Sequence, residues 1–399
     1  MSAVSRAEQV PVSVMTQRTE HRRVLIVAGE ASGDLHAANL IRAARELAPG
    51  LSFFGVGGDW MRAAGCDIRI PMESLSVMGV VEVLGRLPAI RRVYRDLCRM
   101  MQPGGDERPD LLVLVDYPGM NLKLARAARR AGVPVLYYIA PKVWASRPGR
   151  MKTMARCIDQ LAVIFPFEEE LFNAAGIRTA YVGNPLLDEF SGSVRDAGLG
   201  GRLGFDPQRP IVGLLPGSRR SEIRYCWPTM VEAARALKDE RPELQFVVPL
   251  APSLSEDLLR EKLTPAFPDL MICREDIYSV AGICSAILSV SGTVTLQVAL
   301  AGIPMTVIYK ASSLTYALAR RLIRIPYVSL PNIVAGRQVV AEYLQDEANV
   351  ENLLAELKRL LSDGSCRDAM INDLAEVRRL LGEPGCSRKV AALLKEMVY

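Results

Sequence analysis

The chain has 399 residues, of which 50% are hydrophobic and 23% charged, a composition typical of a folded protein and not of a disordered one. This length exceeds a single ordinary core, so two domains are expected. The net charge of +5 is mild and no basic tract carries interleaved aromatic residues, so no nucleic-acid partner is expected. The eight cysteines lack zinc-site spacing and are expected to be reduced core residues in the cytoplasm. The sequence predicts neither a metal site nor a cofactor.

Residues 1–22 lack the apolar stretch of a signal peptide and are predicted to form a flexible leader. From residue 23 onward, apolar runs such as VLIVAG and DLLVLVD alternate with helical stretches, and the series restarts at IVGLLPGS. The runs show little polar–apolar alternation, as expected for parallel strands covered on both faces. The pattern predicts an α/β fold with two Rossmann-like doubly wound domains, residues 23–185 and 186–365, around a central cleft. Helices are expected over the tail, residues 366–399.

The first predicted strand runs into the turn VAGEASGD, which precedes a predicted helix over Leu35–Leu47. A strand, a glycine-containing turn and a helix usually form a phosphate site, but Glu30 and Asp34 carry the wrong charge for one. We expect Glu30, Ser32 and Asp34 to accept hydrogen bonds from sugar hydroxyls in the cleft. Alternatively, Ser32 and Asp34 only cap the helix. His36, on that helix, either lines the cleft or packs against the protein.

The segment Ser76–Met101 has apolar residues at helical spacing, including Val80, Leu84 and Leu87, and arginines on its other faces. An interrupted pair of core helices is the default interpretation of such a pattern. The alternative is an apolar surface rimmed with arginines, which would contact lipid at an anionic membrane. The sequence leaves both interpretations open.

The apolar run DLLVLVD ends at Asp116, which should therefore lie at the edge of the cleft. A carboxyl group in that position suits a general base whose pKa is raised by its surroundings. A capping or purely structural carboxylate is the alternative.

The segment LLPGSRRSEI, in the second predicted domain, combines the end of a strand, a turn and the start of a helix. Gly217 and Ser218 are expected to offer backbone N–H groups and a hydroxyl to an anion, and Arg219 adds a cation. Glu222 can cap the helix backwards. A capped helix with solvated arginines is the alternative.

The segment SVSGTVTLQ repeats this arrangement, with Ser291, Gly292 and Thr293 between a strand and a helix. Small residues let a phosphate approach the backbone, and the helix dipole favours its charge. Gln297, about one turn further on, is placed to reach a ribose hydroxyl. The two turns together predict a nucleotide diphosphate site. Asn332, in YVSLPNIVAGR, presents an amide to a uracil edge or a phosphate, unless it is a simple turn residue.

Eight motifs in order resemble the pattern of the lipid-A-disaccharide synthase family: VAGEASGD, FFGVGGDWMRAAGC, SVMGVVEVLGRLP, DYPGMN, YYIAPKVWA, LPGSRRSEI, SGTVTLQ and YVSLPNIVAGR. The resemblance implies an inverting glycosyltransferase of the two-Rossmann-domain (GT-B) type. Such an enzyme joins UDP-2,3-diacylglucosamine to 2,3-diacylglucosamine 1-phosphate (lipid X) and releases UDP, in lipid A biosynthesis. It also implies a cytoplasmic protein that is peripherally associated with the inner membrane.

On this resemblance, Asp116 is the base that takes the proton of the acceptor 6-hydroxyl. Arg219, the Ser291–Thr293 turn and Asn332 match positions of the UDP site, and the VAGEASGD turn lies on the lipid X side. Gln297 departs from the family pattern, which has a glutamate there.

At two further positions around PKVWA, this sequence has Ala140 and Ser146 where the family pattern has a serine and a tryptophan. These differences are expected to alter contacts with the acceptor or the sugar. A UDP-N-acetylglucosamine 2-epimerase-like enzyme is the nearest alternative, and a non-catalytic nucleotide-sugar binder is a second. A homodimer that exchanges the helical tail is also compatible with the sequence.

Overall fold

The computed structural model describes residues 21–399 except 76–79, 106, 147, 194, 195, 197, 264–266, 268, 269, 314, 315 and 317–324. The predicted leader thus lies almost wholly outside the described residues. Within the described part, every helix is too short or too polar to span a bilayer.

The first half of the chain forms a seven-stranded parallel sheet. Its strands are β1 Arg22–Ala28, β2 Leu51–Gly57, β3 Asp67–Pro71, β4 Leu111–Val115, β5 Val135–Tyr138, β6 Gln160–Val163 and β7 Thr179–Tyr181. They lie in the order β3-β2-β1-β4-β5-β6-β7. The chain therefore reverses its direction of travel across the sheet between β1 and β4, which is the topological switch point of a doubly wound fold.

The second half of the chain forms a six-stranded parallel sheet. Its strands are β8 Ile211–Leu215, β9 Gln245–Pro249, β10 Leu270–Cys273, β11 Ala286–Val290, β12 Met305–Tyr309 and β13 Ala341–Leu344. Their order is β10-β9-β8-β11-β12-β13, so the second switch point lies between β8 and β11. The predicted fold class, two doubly wound sheets, is confirmed.

Helices connect the strands and cover both faces of each sheet. In the first half they are α1 Ala31–Leu47, α2 Asp59–Ala63, α3 Val80–Met100, α4 Pro118–Ala131, α5 Val143–Ser146, α6 Met151–Cys157, α7 Pro166–Ala174 and α8 Pro185–Gly192. The remaining ones are α9 Leu199–Arg202, α10 Arg220–Glu240, α11 Glu256–Arg260, α12 Ile277–Ile283, α13 Thr293–Ala301, α14 Leu330–Ala335, α15 Val350–Ser362, α16 Gly364–Leu380 and α17 Cys386–Val398.

Strands such as β4, whose sequence is LLVLV, are apolar at every position because both of their faces are buried. One face of the first sheet packs against α1 and α17, and the other against α3, α4 and α6. One face of the second sheet packs against α12, α13 and α16, and the other against α10 and α15. The edge strands β3, β7 and β13 are only partly buried, and the continuous apolar pattern that predicted the other strands is missing from them.

The C-terminal tail divides between the two sheets. Helix α16 packs into the core of the second sheet through residues such as Leu374 and Val377. Helix α17 returns to the first sheet, where Val390 and Leu394 share a buried cluster with α1. Asp188, on α8, accepts hydrogen bonds from the backbone N–H groups at the start of α17. The tail is therefore built into the cores of both sheets.

Candidate active site

A cavity of about 710 Å³ lies at the carboxyl ends of β8, β9, β10 and β11, across the second switch point. Open α/β sheets bind their ligands in this position. The cavity brings together the residues that were predicted for the second domain, apart from Asn332. They are Gly217, Ser218, Arg219, Glu222, Ser291, Gly292, Thr293 and Gln297.

At the start of α10, the Glu222 carboxylate folds back as predicted. It accepts hydrogen bonds from the backbone N–H groups of Ser218 (2.9 Å) and Arg219 (3.1 Å), and from the Arg219 guanidinium (2.9 Å). Gly217 has a φ of +95°, and a Cβ there would lie 2.2 Å from the carboxylate, so this position requires glycine. The expectation that the Ser218 N–H is open to a phosphate is wrong in this structure, because Glu222 occupies it.

The start of α13 is open by comparison. Gly292 precedes the helix and provides no side-chain cap, and a Cβ on it would meet no atom within 4 Å. The Thr295 N–H donates to the Gly292 carbonyl at 3.1 Å. The N–H groups of Thr293 and Val294, which an α-helix leaves without an internal partner, are the ones that face a ligand in the cavity. The hydroxyl of Ser291 donates to the Val328 carbonyl at 2.8 Å, which ties this turn to the loop that leads into α14.

Asn332 lies outside the cavity and is fully buried. Its side-chain NH₂ group donates to the Val340 carbonyl (2.9 Å) and to the Glu342 carboxylate (2.7 Å). Its side-chain oxygen accepts from the backbone N–H groups of Val339 and Val340. All of the hydrogen-bonding positions of this amide are taken. The geometry argues against the predicted contact with UDP and for a role in holding the loop before β13.

The first switch point carries Asp116 directly after β4. Its backbone φ is +45° and that of Tyr117 is +43°, a left-handed conformation that is uncommon for residues other than glycine. Three hydrogen bonds hold the Asp116 backbone in place: its N–H donates to the Tyr138 carbonyl, and its own carbonyl accepts from Tyr137 and Asn121. Such strain persists only where the surroundings impose it, and it concentrates at functional sites.

The pKa of Asp116 is raised to about 6, mainly by burial and further by the negative charge of Glu30. Lys142 opposes this rise with its positive charge. Because a general base works best when its pKa lies near the working pH, this environment suits the role predicted for Asp116. Its assignment as the base remains a prediction.

Lys142, in the loop after β5, was not singled out from the sequence, and it links the two halves of the cleft. Its charge interacts with Asp116 and Glu168 on its own side and with Arg219 at the edge of the second sheet. Glu168 is buried and binds the indole N–H of Trp144 at 2.9 Å, which fixes the loop. Lys142 is therefore close enough to both switch points to interact with charges at each of them, attractively with Asp116 and repulsively with Arg219. A lysine in a loop of mixed composition gives no sequence signal for such a position.

The turn VAGEASGD is the start of a helix, because α1 begins at Ala31 and not at the predicted Leu35. Glu30 is its N-cap residue and makes no side-chain capping bond, and both Glu30 and Ser32 are exposed. Neither side chain is therefore packed into the protein interior at the first switch point, and both are accessible to a ligand there. Their contact with the acceptor sugar stays a prediction.

Asp34 differs from Glu30 and Ser32, because it is fully buried. Its carboxylate accepts the backbone N–H groups of Gly58 (2.7 Å), Trp60 (3.1 Å) and Met61 (3.3 Å). It therefore caps α2 and neither caps α1 nor meets a ligand, so both predicted roles of Asp34 are wrong. Burial lowers the pKa of His36 to about 4, with Asp188 as its charged neighbour. His36 thus packs towards α8 and is not part of the Asp116 cluster.

The remaining predicted positions give less information. Val80, Leu84 and Leu87 belong to α3, but their side chains lie outside the described part of the structure, as does that of Ser146. Ala140 is buried after β5.

Two doubly wound parallel sheets, with carboxylates at one switch point and a cavity lined by Arg219 and the start of α13 at the other, are the architecture of a GT-B protein. Solved structures support this class. An epimerase from Neisseria meningitidis bound to UDP-GlcNAc superposes with a TM-score of 0.65 at 12% identity, covering 94% of this chain and 100% of the other. The calicheamicin glycosyltransferase CalG4 superposes with a TM-score of 0.58 at 15% identity, covering 95% and 98%.

Sequence comparison identifies the family. Residues 24–396 match the profile of the lipid-A-disaccharide synthetase family. The lipid-A-disaccharide synthase of Syntrophotalea carbinolica is 47% identical over 96% of this chain and 97% of its own length, and that of Geobacter sulfurreducens is 46% identical over 96% and 99%. The chain therefore belongs to the lipid-A-disaccharide synthase family and is a glycosyltransferase. The likeness to an epimerase is one of fold alone.

Proposed function

We propose that this enzyme transfers 2,3-diacylglucosamine from its UDP conjugate to the 6-hydroxyl of 2,3-diacylglucosamine 1-phosphate (lipid X), with inversion, and releases UDP. The observation that carries the proposal is the position of Asp116. Its carboxyl group, with a pKa near 6, lies at one switch point, and Lys142 beside it also interacts with the charge of Arg219 at the cavity of the other.

In the proposed step, the Asp116 carboxylate accepts the proton of the acceptor hydroxyl while that oxygen bonds to the anomeric carbon. The bond between this carbon and the diphosphate oxygen breaks, and UDP leaves with the electron pair. Arg219 and the N–H groups at the start of α13 stabilise the charge that develops on the diphosphate. Inversion requires one base and a stabilised leaving group, and no covalent intermediate with the enzyme.

The test measures UDP release from UDP-2,3-diacylglucosamine by the full-length protein, with and without lipid X. The proposal predicts release that depends on lipid X, together with formation of the disaccharide phosphate. Release at the same rate without lipid X would exclude transfer to this acceptor, and binding without turnover would leave the nucleotide-sugar binder as the better description.

We further propose that the protein attaches peripherally to the cytoplasmic face of the inner membrane through α3, α4 and α6. In support, Arg126, Arg129, Arg130 and Arg156 are exposed around a second cavity of about 390 Å³ on α4 and α6. Within the described residues, Arg129 is the one of these four with an ion pair, to Asp159. Arg126 and Arg130 lie near Tyr94 and Cys98, in the second half of α3, and such a basic surface suits anionic headgroups.

The membrane proposal is tested by sedimentation with phosphatidylglycerol vesicles and with phosphatidylcholine vesicles. Leu84→Ser combined with Leu87→Ser is expected to move the protein from the vesicle pellet to the supernatant. Leu380→Ser, at an exposed leucine on α16, is the matched control. A double variant that loses its circular dichroism signal would show that these leucines belong to the core.

We also propose a homodimer, which light scattering would detect. Helix α17 already packs against α1 of its own chain, so burying its apolar face does not require the two subunits to exchange their tails.

A further inference from the structure

The cavity of the second sheet extends beyond the turns that were predicted to bind phosphate. On the far side it is lined by residues 249–252, whose sequence is PLAP, and by Arg274 at the end of β10. This side also carries two carboxylates, Glu275, which pairs with Arg202 at 3.7 Å, and Asp276, which caps α12. Because both carboxylates have partners in the protein, the Arg274 guanidinium is the polar group that this side offers to a ligand. None of these residues carried a recognisable motif.

The helix starts around the cavity decide which end receives the phosphates. The start of α10 is occupied by the Glu222 carboxylate. The start of α12 is occupied by the Asp276 carboxylate, which accepts two backbone N–H groups at 3.0 and 2.9 Å. The start of α13, at Gly292, has no side-chain cap and open space in front of it. A diphosphate therefore fits best at α13, beside Arg219.

The position of Gln297 then sets the direction of the nucleoside. Its side chain lies near that of Tyr278, whose hydroxyl donates to the Leu186 carbonyl, so α13 lies beside the start of α12. A ribose near Gln297 would place its base towards Arg274. Three strand spacings, about 14 Å, separate β11 from β10, which leaves room for a nucleoside beyond the phosphates.

We infer that Arg274 recognises the base of the bound nucleotide and selects uracil over cytosine. This inference rests on the proposed UDP-sugar site. A guanidinium has five N–H donors and no acceptor, and Arg274 uses one donor on the Leu254 carbonyl at 3.3 Å. Uracil presents carbonyl oxygens to the remaining donors. Cytosine carries an amino group in place of the 4-oxygen, so at that edge of the ring it would oppose donor to donor. The selection therefore places Arg274 at the 4-position of the base, since the 2-oxygen is common to both bases.

The test compares UDP and CDP binding to the full-length protein by isothermal titration calorimetry. Wild-type protein is expected to prefer UDP. In Arg274→Met, the dissociation constant for UDP should rise on the order of tenfold, as expected when a charge-assisted hydrogen bond is lost. The constant for CDP should change little, so the preference collapses. Arg260→Met, at an exposed arginine of α11 outside the cavity, is the matched control and should leave both constants unchanged.

Three other results would contradict the inference. Equal weakening of UDP and CDP in Arg274→Met would mean that the arginine supplies only charge. An unchanged preference would mean that it does not contact the base. If the wild-type protein bound neither nucleotide, the proposed function would fail as well. Lipid X-dependent UDP release by wild-type protein, together with an intact preference in Arg274→Met, would overturn the role of Arg274 alone.

Discussion

The two switch points of this molecule occupy the same place in sheets of the same strand order, yet their chemistry is opposite. At the first, Asp116 and Glu30 bring negative charge together on a strained, non-glycine backbone. At the second, Arg219 and an uncapped helix start bring positive charge to a glycine turn. The shared fold thus fixes where ligands bind, and the residues that follow the strands decide which part of a ligand binds at each switch point. The carboxylate edge suits a hydroxyl that must lose a proton, and the cationic edge suits a diphosphate.

The largest expected effect is on turnover, and it distinguishes the carboxylate edge at Asp116 from the cationic edge at Arg219. Asp116→Asn keeps the shape of the side chain but cannot accept a proton, so turnover should fall by about 10²–10⁴-fold. UDP affinity should not change, because the cationic edge is intact. Steady-state kinetics and UDP calorimetry measure the two quantities. Asp96→Asn, at a carboxylate that pairs with Arg99 on the surface of α3, is the control. A loss of UDP affinity in Asp116→Asn would make the two edges one structural unit.

The second prediction concerns the cationic edge. In Arg219→Met, the dissociation constant for UDP should rise by about 10–100-fold, because the diphosphate loses a cation and faces the Glu222 carboxylate directly. Arg220→Met changes the adjacent exposed arginine, which does not line the cavity, and should bind UDP as the wild type does. Similar losses in both variants would indicate a diffuse electrostatic effect without a specific contact.

A third prediction separates structure from binding within the VAGEASGD turn. Asp34→Ala leaves three backbone N–H groups at the start of α2 without their acceptor. The free energy of unfolding should therefore drop by about 1–3 kcal/mol, while UDP affinity at low temperature is retained. Ser32→Ala should leave the unfolding free energy unchanged and raise the KM for the acceptor. Chemical denaturation and acceptor kinetics decide between them, and a stable Asp34→Ala variant with a high acceptor KM would reverse the assignment.

The smallest expected effect is on pH dependence. The base must be deprotonated, so kcat/KM should rise with pH through about 6, the pKa of Asp116. Glu30→Gln removes a like charge that raises this pKa, and the acid limb should move to lower pH. Lys142→Met removes a charge that lowers it, and the limb should move to higher pH. Shifts of the same sign in both variants, or none in either, would show that these neighbours do not set the ionisation of the base.

The sequence predicted the parts of the fold and site that depend on strand ends. Continuous apolar runs such as LLVLV can only be buried strands, so the residues after them, Asp116 and Ser291 among them, had to lie at the edge of a sheet. The edge strands β3, β7 and β13 were not predicted, because half-buried strands lack that signal.

What the sequence did not reveal is where a polar side chain turns once its strand has ended. Asp34 and Asn332 both turn inward to backbone groups that come from distant segments. Glu222 takes an N–H group that looked available to a ligand. Arg274 lines the cavity because β10 belongs to the same sheet as β11, three strands away. This strand order cannot be read from the residues next to Arg274 in the sequence.

The return of α17 to the first sheet has a consequence for how the protein is made. Residues 386–398 are synthesised more than 300 residues after β1 and α1, yet they complete the buried cluster around them. Domains generally fold as units while the chain emerges from the ribosome. Here one face of α1 must wait, uncovered, until residues 386–398 have been synthesised. Chain termination before residue 386 would therefore expose an apolar surface at the opposite end of the sequence, where a chaperone or another nascent chain could bind it.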